Sequence, residues 1–152
     1  SAVDLLNGIA RYAGMEVIHV PGATGFIDTD YQAKARYALD AIERLDFVYV
    51  HVEAPDEAGH MGGVEEKVKA IEGVDGLIGT ILENFDGTVA VLPDHPTPIR
   101  LKTHTRTPVP FAIRGGVQDS TACFSEKEAA KGGFGLHEAA DFLPLLFGRK
   151  AA

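Results

Sequence analysis

The sequence predicts an α/β fold of three layers, a mostly parallel sheet between helices. Residues 47–52 (FVYVHV) and 87–92 (GTVAVL) are apolar at nearly every position instead of alternating, which suits central strands covered on both faces. Between them, Val64, Val68, Ile71, Val74, Leu77, Ile78, Ile81 and Leu82 recur at helical spacing across residues 64–85. Strand, long helix, strand is the βαβ unit, whose strands run parallel. Each run is also followed by a carboxylate and an imidazole, Asp56 and His60 after the first and Asp94 and His95 after the second. Open parallel sheets bind ligands beyond the carboxyl ends of their strands.

The remaining elements follow in order. Val3, Leu5, Leu6, Ile9, Ala10 and Ala13 form a helical stripe that Gly14 stops. Residues 16–20 make a short β-rich run closed by Pro21-Gly22. The loop Gly22-Ala23-Thr24-Gly25 is not followed by the Lys-Ser/Thr pair of a phosphate-cradling loop. Thr29 or Asp30 caps the next helix, which buries Ala35, Ala38, Leu39, Ile42 and Leu45 and leaves Lys34, Arg36, Asp40 and Glu43 to solvent. Gly73, Gly76 and Gly79 punctuate the long helix at threefold spacing; they mark either a close approach by another element or a bend. Five prolines between positions 93 and 110 stiffen an extended stretch past His104, and residues 111–113 read as a short strand. A surface loop is expected at 114–124, and short helices at 126–131 and 137–147 flank Gly132-Gly133-Phe134-Gly135.

Length and charge narrow the function. A chain of 152 residues is one domain's worth, assigned here as 1–152. Its formal charge of −8 argues against nucleic acid or an anionic membrane as partner. No apolar run approaches the ~18–20 residues of a membrane span, and no signal peptide is evident. Cys123 is the only cysteine, so no internal disulfide is expected; a reducing cytoplasm suits that usage. Because the chain opens at Ser1 directly in a helical pattern, it is expected to be a piece of a longer polypeptide.

The chemistry-bearing residues are Asp56, His60, Asp94, His95 and His104, from three segments at or near strand ends. Asp56 and His60 lie four apart, on one face of a helical turn, where both reach one ion. Each has a plain alternative: Asp56 as a helix cap, His95 beside Asp94 as a cap, His104 as a surface histidine. Gathered together, carboxylate oxygens and imidazole nitrogens suit Zn, Mn or Fe. Two neighbouring ions are the usual apparatus of phosphoryl chemistry. His19 and His51 read as packed, hydrogen-bonded strand residues, with His51 a possible support to the metals. His137 reads as a surface residue and Cys123 as a buried or inert thiol.

The strings APDEAGH at 54–60, PDHPTP at 93–98 and KTHTRTPVP at 102–110 resemble the carboxyl-terminal part of cofactor-independent phosphoglycerate mutases, in the archaeal-type branch of the alkaline phosphatase superfamily. SAVDL at 1–5 and GATGFIDTDY at 22–31 are similar to the same branch. The resemblance implies an alkaline-phosphatase-like domain with two divalent ions, Mn or Zn. One ion would be held by Asp56, His60 and His104. The other would be held by Asp94 and His95 with an aspartate and a nucleophilic serine from the amino-terminal part. That serine would carry the phosphoryl group between 3-phosphoglycerate and 2-phosphoglycerate. Neither that segment nor the inserted substrate-binding domain is found in this sequence, so the chain alone is expected to have little or no activity. Lys102 and Arg106 flank His104 and are candidates to meet substrate phosphate. Apolar surface left by the missing half is expected to favour self-association.

Other reactions on the same scaffold compete: phosphomonoester or phosphonate hydrolysis, or a kinase-like transfer. From a different class, Asp56, His60 and His104 would also make the two-histidine, one-carboxylate triad of an iron oxygenase, although Asp94-His95 would then be superfluous. A metal-binding module without catalysis is the third possibility.

Overall fold

A computed structural model describes residues 1–115 and 118–148. They form two compact units, one of residues 1–86 with 97–103, the other of 87–96 with the residues from 104 onward.

The first unit is helical. Helix α1 (Asp4–Tyr12) has Asp4 in its first turn and Arg11 in its last, both complementing the helix dipole. Its Leu5, Ile9 and Tyr12 are exposed. Helix α2 (Tyr31–Ile42) is capped by Asp30, whose Oδ1 accepts from the Ala33 amide at 2.7 Å. Helix α3 (Ala54–Met61) starts with proline in its first turn and ends at Gly62, φ 80°. Gly63 then opens helix α4 (Val64–Asn84).

Small residues let α2 and α4 come close. Ala33, Ala35 and Ala41 are buried on α2, and Ala70 and Leu77 on α4. At Gly73 a Cβ would lie 2.6 Å from Tyr31 Cζ, whereas at Gly79 it would meet nothing within 4 Å. Gly73 therefore serves a close approach. Gln32 Nε2 donates to the Gly76 carbonyl at 3.2 Å and Thr80 Oγ1 donates to Gln32 Oε1 at 2.8 Å. Val64, Val68 and Ile71, expected to face inward, are exposed. No described helix is long and apolar enough to cross a membrane.

Lys34, expected in solvent, is 5% exposed. Its Nζ donates to the His51 carbonyl at 2.9 Å, which satisfies part of the buried ammonium. Burial pulls its pKa below the ordinary lysine range, with the charge of Glu53 acting the other way. His19, expected to be packed, is exposed.

The second unit holds strands β1 (Val89–Val91) and β2 (Ala112–Arg114), paired antiparallel with Val89 opposite Arg114 and Val91 opposite Ala112. This ladder joins β1 to the strand expected at 111–113, whose direction the sequence leaves open. Residues 16–20 and 47–52 carry no strand assignment. β-Branched and aromatic residues favour extended backbone, but strand identity and direction depend on a neighbour the composition does not name. Phe111 packs on Phe134 and Phe142, with ring centroids 5.2 and 5.6 Å apart. Asp119 accepts from the amides of Thr121 and Gly133, both at 2.9 Å, tying the loop together. Helices α5 (Glu126–Ala129), capped by Ser125, and α6 (Phe142–Leu146), preceded by a 3-10 turn at Ala139–Asp141, complete the unit. Cys123 is exposed, not buried. Of the surface loop expected at 114–124, residues 116 and 117 lie outside the described residues, as do 149–152.

Candidate metal centre

In the first unit the site is built on α3. Asp56 and Glu57 lie in its first turn, where a helix favours negative charge. Oxygens of Glu53, Asp56 and Glu57 come within 4.8 Å of one another. Three carboxylates so close repel unless protons or a cation intervene. His60, one turn on, places Nε2 3.3 Å from Asp56 Oδ2, so the pairing expected from the fourfold spacing is present.

His60 Nδ1 lies 3.0 Å from the Lys102 carbonyl oxygen. A carbonyl only accepts, so Nδ1 carries the proton. In the neutral ring, Nε2 then turns its lone pair toward the Asp56 carboxylate, acceptor facing acceptor. A proton or a metal ion makes that arrangement favourable. Backbone anchoring of the far nitrogen is also how metal-binding histidines are commonly oriented. The donor set fits a divalent cation.

Asp56 is held from behind. Thr97, 6% exposed, donates from Oγ1 to Asp56 Oδ1. Lys67 Nζ donates to the Thr97 carbonyl at 3.3 Å. Burial lowers the Lys67 pKa, opposed by the charge of Asp56. Gly59 makes room for this: a Cβ there would sit 2.6 Å from the Thr97 oxygen and 3.0 Å from Lys67 Nζ. His51 lies behind Glu53, Nε2 to Oε2 at 3.5 Å, and its Nδ1 is 3.4 Å from Ser1 Oγ.

The second unit brings Asp94, His95 and His104 together. His95 Nε2 is 3.5 Å from Asp94 Oδ2, and the His95 amide donates to Asp94 Oδ1 at 3.1 Å. The rings of His95 and His104 lie with centroids 3.7 Å apart and planes inclined by 31°. Arg106 is exposed, and so is Lys102 in the first unit. His137 is exposed, its Nε2 2.8 Å from the Phe134 carbonyl.

Sequence reading missed Glu53, Glu57, Thr97 and Lys67. Glu53 and Glu57 flank Asp56 and resemble ordinary helix-start acids. Thr97 offers no local signal of a role beside Asp56. Its bond to Asp56 spans 41 positions, beyond any local pattern.

Clustered carboxylates, an oriented imidazole and a second Asp-His pair are donor groups of the kind that suit divalent cations. The chain belongs to the Metalloenzyme superfamily, whose family model matches residues 1–147. More particularly, it is 50% identical to the 2,3-bisphosphoglycerate-independent phosphoglycerate mutase of Methanosarcina acetivorans, over 96% of this chain and 39% of that protein. It is 52% identical to 2,3-bisphosphoglycerate-independent phosphoglycerate mutase 2 of Methanothermobacter thermautotrophicus, over 91% of this chain and 36% of that one. The solved structure of the PH0037 protein from Pyrococcus horikoshii superposes with a TM-score of 0.93 at 38% identity, covering 99% of this chain and 48% of that chain. The resemblance drawn from the motifs is borne out. The chain spans under two fifths of the length of these curated relatives.

Proposed function

We propose that this chain is the metal-binding portion of a phosphoglycerate mutase that works without bisphosphoglycerate, interconverting 3- and 2-phosphoglycerate in the cytoplasm. The observation that carries the metal reading is the His60 geometry, Nδ1 bound to a carbonyl and Nε2 turned to Asp56. Identity of about 50% to named mutases supports the reaction. The full architecture proposed is a three-layer, mostly parallel alkaline-phosphatase-like domain.

In this reading Asp56, His60 and His104 bind one divalent ion, and Asp94 and His95 contribute to a second, Mn or Zn in each case. Such ions neutralise phosphoryl oxygens and acidify a nucleophilic hydroxyl. The chain's own work is placement. Thr97 and Lys67 orient Asp56, and the Lys102 carbonyl fixes the His60 ring. Arg106, and Lys102 through its ammonium, bring positive charge to substrate phosphate. The nucleophilic serine, and the phosphoserine formed on it, belong to the part of the longer protein outside this chain. The 152 residues alone therefore turn over little or no substrate.

Two measurements test this. Titration calorimetry of the chain with Mn²⁺ or Zn²⁺ should show binding that Asp56→Asn and His60→Gln abolish. A coupled mutase assay should show turnover by the full-length protein, loss in the same two variants, and none by the chain alone. Uptake unaffected by both substitutions would remove these residues as ligands, and near-normal turnover by the chain would refute the external nucleophile.

A further inference from the structure

Among the described residues, Lys102 is the one non-glycine with positive φ, at 54°. A Cβ in that region crowds the following carbonyl, and glycine or asparagine is the usual occupant. The strain has a local cause. The amides of Leu101 and Lys102 both donate to the Pro98 carbonyl at 2.9 Å, closing a helical turn that a left-handed residue terminates. That conformation sets the direction of the Lys102 carbonyl, the oxygen 3.0 Å from His60 Nδ1.

The lysine stem runs past the carboxyl end of α3. A Cβ on Gly62, the residue capping α3, would overlap Lys102 Cε and lie 2.8 Å from its Nζ. Two left-handed residues thus face each other, and the bare backbone of one leaves space for the lysine stem of the other. The ammonium comes to rest at the carboxyl end of the helix that bears His60, where a cation is favoured.

We propose that Lys102 is a positioning residue: its left-handed backbone holds its carbonyl on His60 Nδ1 and so selects the tautomer that offers Nε2 as a ligand. The ligand half of this statement rests on the reading of Asp56 and His60 as metal-binding; the orienting half does not. Lys102 acts here through its main chain, a role separate from any contact of its ammonium with substrate.

The test compares Lys102→Gly, which keeps the left-handed carbonyl, with Lys102→Val, whose branched Cβ disfavours it. Nitrogen NMR of the imidazoles reads the His60 tautomer without metal, and Mn²⁺ calorimetry reads affinity. The native chain and the glycine variant should both hold the Nδ1–H tautomer and bind Mn²⁺ equally within error. The valine variant should lose the single tautomer and bind about 10–100-fold more weakly, the usual loss for a support behind a ligand. Glycine weakening binding as much as valine would overturn the proposal, since the side chain would then be acting. An Nε2–H tautomer in the native chain would overturn it as well, even if the valine variant fails to fold. A native chain with the Nδ1–H tautomer but no Mn²⁺ or Zn²⁺ uptake would instead uphold the orienting bond and remove the metal reading.

Discussion

The three glycines of α4 make a stability experiment with opposite signs in one helix. Gly73, Gly76 and Gly79 are equally spaced, and alanine at any of them gains about 1 kcal/mol of helix propensity. At Gly79 a Cβ meets nothing within 4 Å, and at Gly76 only Gln32 Nε2 at 3.6 Å, an ordinary contact. Both alanine variants should be more stable by about 1 kcal/mol, or roughly 2–4 °C in Tm for a chain of this size. At Gly73 the new methyl would lie 2.6, 2.7 and 2.9 Å from three carbons of the Tyr31 ring. Overpacking of that kind costs about 1–3 kcal/mol. Set against the ~1 kcal/mol of propensity, the net loss is about 0–2 kcal/mol. Thermal and urea denaturation followed by circular dichroism read all three variants. A Gly73→Ala variant stabilised as much as Gly79→Ala would refute the close packing of Tyr31 on α4. The double variant Gly73→Ala with Tyr31→Ala separates the causes, because removing the ring should restore the propensity gain at position 73.

Thr97→Val removes the hydroxyl that Asp56 accepts from and should weaken Mn²⁺ binding about 10–100-fold in calorimetry while leaving the helical signal intact. Lys34 has its folded-state pKa lowered from an unfolded value of 10.5, so between those two values the unfolded chain holds more protons. Stability should therefore rise as pH climbs through that alkaline window, and Lys34→Met should flatten the rise in pH-dependent urea titrations. Leu5, Ile9 and Tyr12 on α1 and Val64, Val68 and Ile71 on α4 are exposed at helical spacing. Sedimentation should show self-association that increases with concentration and falls in the variant Ile9→Glu with Val68→Glu; an unchanged monomer at high concentration would contradict it.

What was legible in the sequence is what depends on neighbours along the chain. The Asp30 cap, the helix at α4 and the Asp56–His60 pair rest on neighbours within a few turns, and all are present, although Val64, Val68 and Ile71 of the expected inward stripe are exposed. Pro55 and Gly62 bracket α3 as local rules require. What was not legible needs a partner from elsewhere. Lys34 reads as a solvent-facing charge until the His51 carbonyl arrives from 17 positions away. Thr97 looks inert until it meets Asp56. The runs at 16–20 and 47–52 have the composition of strands, but composition does not supply the ladder. The glycines of α4 carry one sequence signature and three different surroundings.

Helix α3 is eight residues long, well below the ~12–15 at which an isolated helix becomes even marginal in water. It persists because Ala54, Ala58 and Gly59 are buried. Asp56 and His60 are both on it, so the distance between them is a property of a helix that cannot stand alone. On the proposed metal reading, ion capture and local folding would be one equilibrium seen from two ends. A lesion far from the ligands that loosens the seat of α3 on α4 would be registered first as lost affinity, before the rest of the protein melts. Conversely, added metal would report as protection of the α3 amides from hydrogen exchange.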